Sequence, residues 1–365
     1  MNKREKLLEI LSPVLAVIAA FLVGGIFILI IGQNPFFIYG KLFSGTLGNP
    51  YGIAQVLFKA TPLIFTGLAV AFGFRAGLFN IGAQGQLYMG AFLTAYLGFT
   101  LIHLPAFLLI PLCILGGMVG GAIWAGIPGI LKAKRGAHEV ITTIMMNFIA
   151  LALTNYFIAR HFHMPGTVHT QAISLAARIP RLSTLFPIFS GSPLNYSIFL
   201  ALLACFIVYY ILWKTSLGYE LRAVGLNPFA SEYGGISVTK NTVLAMALSG
   251  ALAGLVGVNY VMGYKYYFEQ GFAGAVGFGG VGFMAIAVAL LGRNNPIGVI
   301  FAALLFGLLS FGGLAINAYV PKELVDILQA IVIIFVIASS RPFRDYIMRL
   351  KKRALAQGVA GTSKE

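Results

Sequence analysis

Apolar runs follow one another from Val14 to Ser339, separated by short polar stretches. The polar stripe that a soluble helix shows to water is missing from them. A bilayer core takes about 20 apolar residues per helix. On that measure the pattern predicts ten spans, at about 14–32, 55–74, 81–101, 106–131, 140–160, 197–213, 241–263, 281–292, 297–316 and 324–340. The first, Val14 to Gly32, is long for a signal-peptide core, and Gln33-Asn34-Pro35 is a poor cleavage site, so it reads as a retained helix. Met1 to Ser12 is a short basic amphipathic entry. Asn34 to Tyr51, rich in Gly, Pro and aromatic residues, reads as an external loop.

The polar interruptions carry the information. Lys214 to Lys240 places Glu220, Arg222, Asn227, Ser231 and Glu232 between two apolar runs, so it lies at a membrane surface. Asn227 is a good cap and Pro228 a good first residue for a short helix with Phe229, Ala230 and Tyr233 on one face, ended by Gly234 and Gly235. A connecting loop needs only a few polar residues, so the segment reads as a docking handle for a partner. Lys132 to Glu139 is a second polar turn, with His138 and Glu139 available to a partner. The segment of about 161–195, with Pro165, Pro180, Pro187 and Pro193, is too long for a tight connection and reads as lying along the outer surface. Its His161, His163 and His169 lack a cysteine or carboxylate nearby, which argues against a metal site. Lys59 and Arg75 read as snorkelling to the two interfaces.

A different pattern marks Gly77 to Phe92, where Asn80, Gln84 and Gln86 crowd among Gly77, Gly82, Gly85 and Gly90. Irregular polar backbone at membrane depth is tolerated only in protein or beside a water-filled cavity. Either a transport path or close packing through the glycines meets that requirement. Gly82-x-x-Gly85 overlays Gly277-x-x-Gly280 and brings Met89 onto Met284. If spans two to five correspond to spans seven to ten, the result is an inverted-topology repeat. The expected layout is then a single transmembrane domain over 1–340, with repeats at about 54–160 and 241–340, the handle at 214–240, and a basic tail at 341–365.

Composition sharpens this picture. Hydrophobic residues make up 59 % of the chain and charged residues 10 %, with mean hydropathy +0.90, values no soluble domain combines. The net charge of +15 invites a nucleic-acid partner, but the placement of the charges argues against one. With the amino terminus inside, 18 of the 25 Lys and Arg fall on the cytoplasmic side, as the positive-inside rule requires. Both termini and the handle are therefore expected in the cytoplasm, and Arg341 to Arg353 reads as an amphipathic anchor on anionic lipid. Cys113 and Cys205 lie in apolar runs and read as packing residues. The sequence has no phosphate loop of the G-x-x-x-x-G-K-[ST] type, no ionisable group placed at midplane and no nucleophile paired with a base, so neither ATP hydrolysis, ion coupling nor a membrane enzyme is supported on this chain.

Three stretches then resemble a known family: GLFNIGAQGQLYMGAF at Gly77 to Phe92, RGAHEVITTIMMN at Arg135 to Asn147, and LGYELRAVGLNPFASEYGGI at Leu217 to Ile236. Together they resemble the nucleoside and simple-sugar branch of the ABC importer permeases related to the branched-chain amino acid permeases. The resemblance runs from about Leu57 to Pro342. It implies an all-α polytopic subunit in a bacterial plasma membrane, working by alternating access. It also implies a separate ATP-binding subunit that carries ATP and magnesium, a second homologous permease and an extracytoplasmic binding (lipo)protein. The coupling role carries over to Arg222, Gly225, Asn227, Ala230, Glu232 and Gly235, and Glu220 of the same handle is counted with them. His138 stands where the family commonly has Asn, and Gln84 where many members have Glu. Phe79, Asn80, Gln84, Gln86, Phe272, Phe278 and Phe283 are candidates to line a path for a nucleoside, amides bonding base or ribose and rings stacking on the base; the other reading turns the phenylalanines to lipid or neighbouring helices. A sugar or a branched-chain amino acid as cargo, and an ion-coupled carrier of another class, remain as alternatives.

Overall fold

The structure, a computed structural model, describes residues 3–272, 280–321 and 323–335, with side chains from residue 15 onward. Phe278, the Gly277 end of the glycine overlay, the close of the tenth run and the basic stretch from Arg341 lie outside the described residues. The described chain is helical: α1 (Lys3–Ile30), α2 (Pro35–Leu47), α3 (Pro50–Arg75), α4 (Ala83–Thr100), α5 (Ala106–Arg135), α6 (Glu139–Phe157), α7 (Ser197–Lys214), α8 (Ser216–Leu226), α9 (Pro228–Tyr233), α10 (Val238–Gly254), α11 (Val281–Leu291), α12 (Pro296–Ile316) and α13 (323–335). Short π-helical turns extend α6 over Ile158–Phe162 and follow α10 at Val258–Lys265.

Each predicted run, as far as it is described, falls on a helix, but among the described residues length and composition qualify six helical stretches as membrane spans, and a seventh if α1 and α2 are taken as one bent pair. The protein is thus a multi-pass membrane protein, all-helical over the described residues. α4 opens on Gln84 and Gln86, which dilute its apolar character, and α11 is only 11 residues long. The expected loop after Asn34 is instead α2. Asn34 Oδ1 accepts from Phe36 N at 2.9 Å and Pro35 takes the first helical position, so a cap and a helix-starting proline outweigh the Gly and aromatic content.

Contacts divide the chain into two compact units, Met1–Ser44 with Gly312–Glu365, and Gly45–Phe311. In the first, α1 and α2 meet at 118°, and Tyr39 holds the elbow by donating its hydroxyl to the Phe21 carbonyl at 2.6 Å. Gly24 lets Leu328 approach the α1 backbone.

The second unit is built around α3. Asn49 caps it through Gly52 N at 2.7 Å, and 94 % of its most apolar stretch is buried, against 28 % for α5 and 33 % for α6 with its π-helical extension. α3 is therefore the axis, and α5 and α6 present their apolar sides outward. It ends in a Schellman motif, Gly77 N to Phe74 O at 3.1 Å and Leu78 N to Gly73 O at 2.9 Å, with Gly77 left-handed at φ 72°. Lys59, expected at an interface, is 9 % exposed instead.

α5 and α10 pack through facing glycines, Gly117 and Gly121 against Gly250 and Gly254, and a methyl on Gly121, Gly250 or Gly254 would enter the opposite backbone. Gly90 of α4 joins the same seam. Of the two readings left open for the glycines of this stretch, close packing thus describes Gly90.

The segment 160–195 has only short helical turns and is stitched to 262–268: Thr170 N bonds Phe268 O at 2.8 Å, Ile173 N bonds Tyr266 O at 2.7 Å and Ile179 N bonds Met262 O at 2.9 Å. Arg178 sits over the Tyr266 ring at 4.4 Å, and His169 stacks on Tyr267 at 4.3 Å.

Candidate functional site

The site grows from a physical demand. The first N–H groups of a helix have no partner within it, and α4 begins amid buried residues, at Gly82, which has no side chain to offer. Side-chain amides from elsewhere supply the acceptors. Asn80 Oδ1 accepts from Gly82 N at 2.9 Å, and Asn147 Oδ1, from α6, accepts from Gly85 N at 2.7 Å. Asn147 also donates to the Ile81 carbonyl at 3.0 Å. α11 starts at Gly280, left-handed at φ 86°, and Gln84 Oε1 accepts from Gly282 N at 2.7 Å. Gly282 lies so close to Gln84 that a methyl group there would strike the α4 backbone. Two buried helix starts therefore abut, one capped by a residue of the other.

Asn80 is the hub of this cluster and is fully buried. It exchanges two hydrogen bonds with Gln86, both at 2.9 Å, and donates to Ser249 Oγ at 2.8 Å, while Ser249 donates to the Ala69 carbonyl at 2.6 Å. Both acceptor positions and both donor positions of the Asn80 amide are thus engaged. In this conformation the amide closes an internal network.

The aromatic candidates separate. Phe272 is buried, stacked on Phe268 at 4.7 Å and edge-on to Tyr260 at 5.5 Å. Phe268 meets Phe92, which stacks on Phe157, so Phe272 belongs to an aromatic wall. Phe79 is half-buried against Phe74 at 5.0 Å, in a different group, and Phe283 is 47 % exposed on α11. Asn147 and Ser249 are members of the amide cluster that sequence reasoning missed. Asn147 is one of two asparagines in the apolar run 140–160, which was the available signal for the first; a serine among small residues gave none for the second.

The handle folds as two helices, α8 and α9. Thr215 caps α8 through Gly218 N at 3.1 Å, and Asn227 caps α9 through Ala230 N at 3.1 Å. α9 stops in a second Schellman motif, Gly235 N to Glu232 O and Ile236 N to Ser231 O, both 2.9 Å, with Gly235 at φ 82°. Leu226, Phe229 and Tyr233 stand 88 %, 84 % and 99 % exposed. Glu220 is tied down by Asn241 Nδ2 at 3.0 Å, and Arg222 Nε donates to the Gly218 carbonyl at 3.2 Å, whereas Glu232 and Ala230 are open to solvent. Gly225 lies against the backbone of Arg75 to Gly77. In the other polar turn Lys132 pairs with Glu139 at 2.9 Å.

A capped handle of this form and a buried pair of helix starts, on a multi-pass helical chain, point to a transport subunit, and comparison with known proteins decides the family. Residues 52–337 match the family described as branched-chain amino acid transport system / permease component. The chain belongs to that family. Over 96 % of its length and 99 % of the relative's, it is 42 % identical to the guanosine ABC transporter permease protein NupP of Bacillus subtilis. It is 41 % identical, over 92 % of both chains, to the nucleoside ABC transporter permease protein NupB of Lactococcus lactis. A glucose ABC transporter permease protein of Haloferax volcanii, TsgB13, is 39 % identical over 90 % of this chain and 87 % of its own. No solved structure matches. As a member of this permease family the chain is a transport component rather than an enzyme.

Proposed function

We propose that this chain is a membrane subunit of an ABC importer that takes up nucleosides by ATP-driven alternating access. The observation that carries the reading is identity above 40 % along nearly the whole chain to two permeases named for guanosine and nucleosides. In this reading the chain sits in a bacterial plasma membrane with about ten spans arranged as an inverted repeat, both termini and the handle in the cytoplasm. A separate ATP-binding subunit holds ATP and magnesium. A second, homologous permease completes the passage, and an extracytoplasmic binding lipoprotein delivers cargo. Leu226, Phe229 and Tyr233, apolar and exposed on a capped handle, support docking of the ATP-binding subunit there, with Glu220, Arg222, Gly225, Asn227, Ala230, Glu232 and Gly235 shaping that surface.

Asn80, Gln84 and Gln86 close the passage in the described conformation and turn to cargo when α4 and α11 part. Phe79, Phe272, Phe278 and Phe283 are the aromatic candidates along it. The relative named for glucose keeps a sugar as the second reading.

Uptake of labelled guanosine and of labelled glucose by cells with and without the chain, with an ionophore present and ATP maintained, tests both. Loss of guanosine uptake alone on deletion is expected. Loss of glucose uptake alone would move the cargo to sugars, and arrest of uptake by the ionophore despite ATP would refute the ABC coupling.

A further inference from the structure

Arg75, the last residue of α3, is half-buried and engaged by protein groups. Its Nε donates to the Asn294 carbonyl at 2.9 Å and its Nη2 to the Arg293 carbonyl at 3.3 Å. Both acceptors sit in the turn that ends α11, at left-handed residues with φ 55° and 53°. Left-handed backbone is disfavoured for residues with a side chain, so a two-pronged grip on these carbonyls opposes relaxation of the turn. The same guanidinium lies over Trp213, near the end of α7, at 5.1 Å. A planar, permanently charged fork can do both at once, whereas an ammonium cannot.

Two further contacts turn this clamp into a connection. The backbone just after Arg75 bears on the handle: a methyl on Gly225 of α8 would lie 2.6 Å from the Arg75 carbonyl oxygen and 2.7 Å from Gly77 N. At the far end of the same short loop, Gln84 caps the start of α11 through Gly282 N. The stretch 75–84, the loop with one helical residue before it and two after, thus lies against the handle and grips α11 at both ends, through Arg75 at one and Gln84 at the other. We infer that Arg75 is a positioning residue for transport, passing displacement of the handle to α11 and its following turn. The inference rests on the importer reading above.

Complexes of this chain with its ATP-binding subunit and second permease, reconstituted in lipid vesicles with the binding protein, test it. ATP hydrolysis and guanosine uptake are measured on one preparation for wild type, Arg75→Gln and Arg75→Lys. The expected result is a fall of about tenfold in uptake per ATP for Arg75→Gln, the scale of an ordinary coupling between sites, with subunit stoichiometry and ATP hydrolysis retained and partial recovery in Arg75→Lys. An unchanged ratio, or a parallel loss of both rates, would overturn it, the latter reducing Arg75 to a fold contact. Wild-type vesicles that hydrolyse no ATP, or take up no guanosine with it, would overturn the importer reading itself. Should Arg75→Gln fail to assemble, Arg75→Lys, which keeps the charge without the fork, carries the comparison alone.

Discussion

At the scale of single residues, the amides between α4 and α11 are defined by the groups they satisfy. Asn80→Leu leaves the Gly82 N–H and the Gln86 amide without their partner. A buried polar group left unpaired costs about 1–3 kcal/mol. The variant should therefore melt below wild type in detergent as well as transport less, and an unchanged melting temperature would remove Asn80 from its capping role. Gln84→Leu should weaken the joint in the same way, since Gly282 N loses its acceptor. Gln84→Glu keeps an acceptor at a helix start, where negative charge is favourable, and should retain more uptake than the leucine variant; equal uptake would count against the cap. Amides in an apolar run are conspicuous, so Asn80, Gln84 and Gln86 stand out in the sequence as polar groups that need partners. Their partners were not, because Asn80 meets Ser249 across 169 residues and Gln84 meets Gly282 across 198, and no local pattern encodes a contact over that distance.

Among elements, the handle was the most legible because its rules are local. Asn227-Pro228 starts α9 and Gly234-Gly235 ends it, as cap chemistry dictates. α8 escaped notice: Thr215 is a sound cap, but Gly218 and Gly225 argue against a helix, and only the approach to Gly77 explains Gly225. α2 was misread for the opposite reason, its cap being present but its Gly and aromatic content weighted too heavily. Phe229→Asp with Tyr233→Asp should leave the chain inserted and folded, because both side chains are exposed, yet abolish co-purification of the ATP-binding subunit. Full co-purification of an active complex would show that the apolar tip is not the docking surface. Gly254→Val, by contrast, should prevent accumulation of folded protein, since α10 meets the α5 backbone there; a protease-resistant variant at wild-type yield would contradict the seam.

For the whole molecule, composition and run length were enough to read a multi-pass helical protein, while the count of spans was not settled by them. α4 and α11 are short or diluted because each begins inside the protein, and a rule based on about 20 apolar residues passes over such partial helices. Sidedness gives a direct test. Leu175 and Tyr233 are both exposed and are separated by α7 as the qualifying span, so Leu175→Cys and Tyr233→Cys should react with an impermeant maleimide from opposite sides, the first from outside. Labelling of both from one side would redraw the topology. The amide-capped junction also supplies a clock. Gly82, Gly85 and Gly282 each give their N–H to a buried side-chain amide rather than to a carbonyl of their own helix. The bond from Gly282 to Gln84 crosses the joint, so its proton exchanges when α4 and α11 separate, and deuterium uptake there would time that opening against amides in α3 that trade only on far larger unfolding.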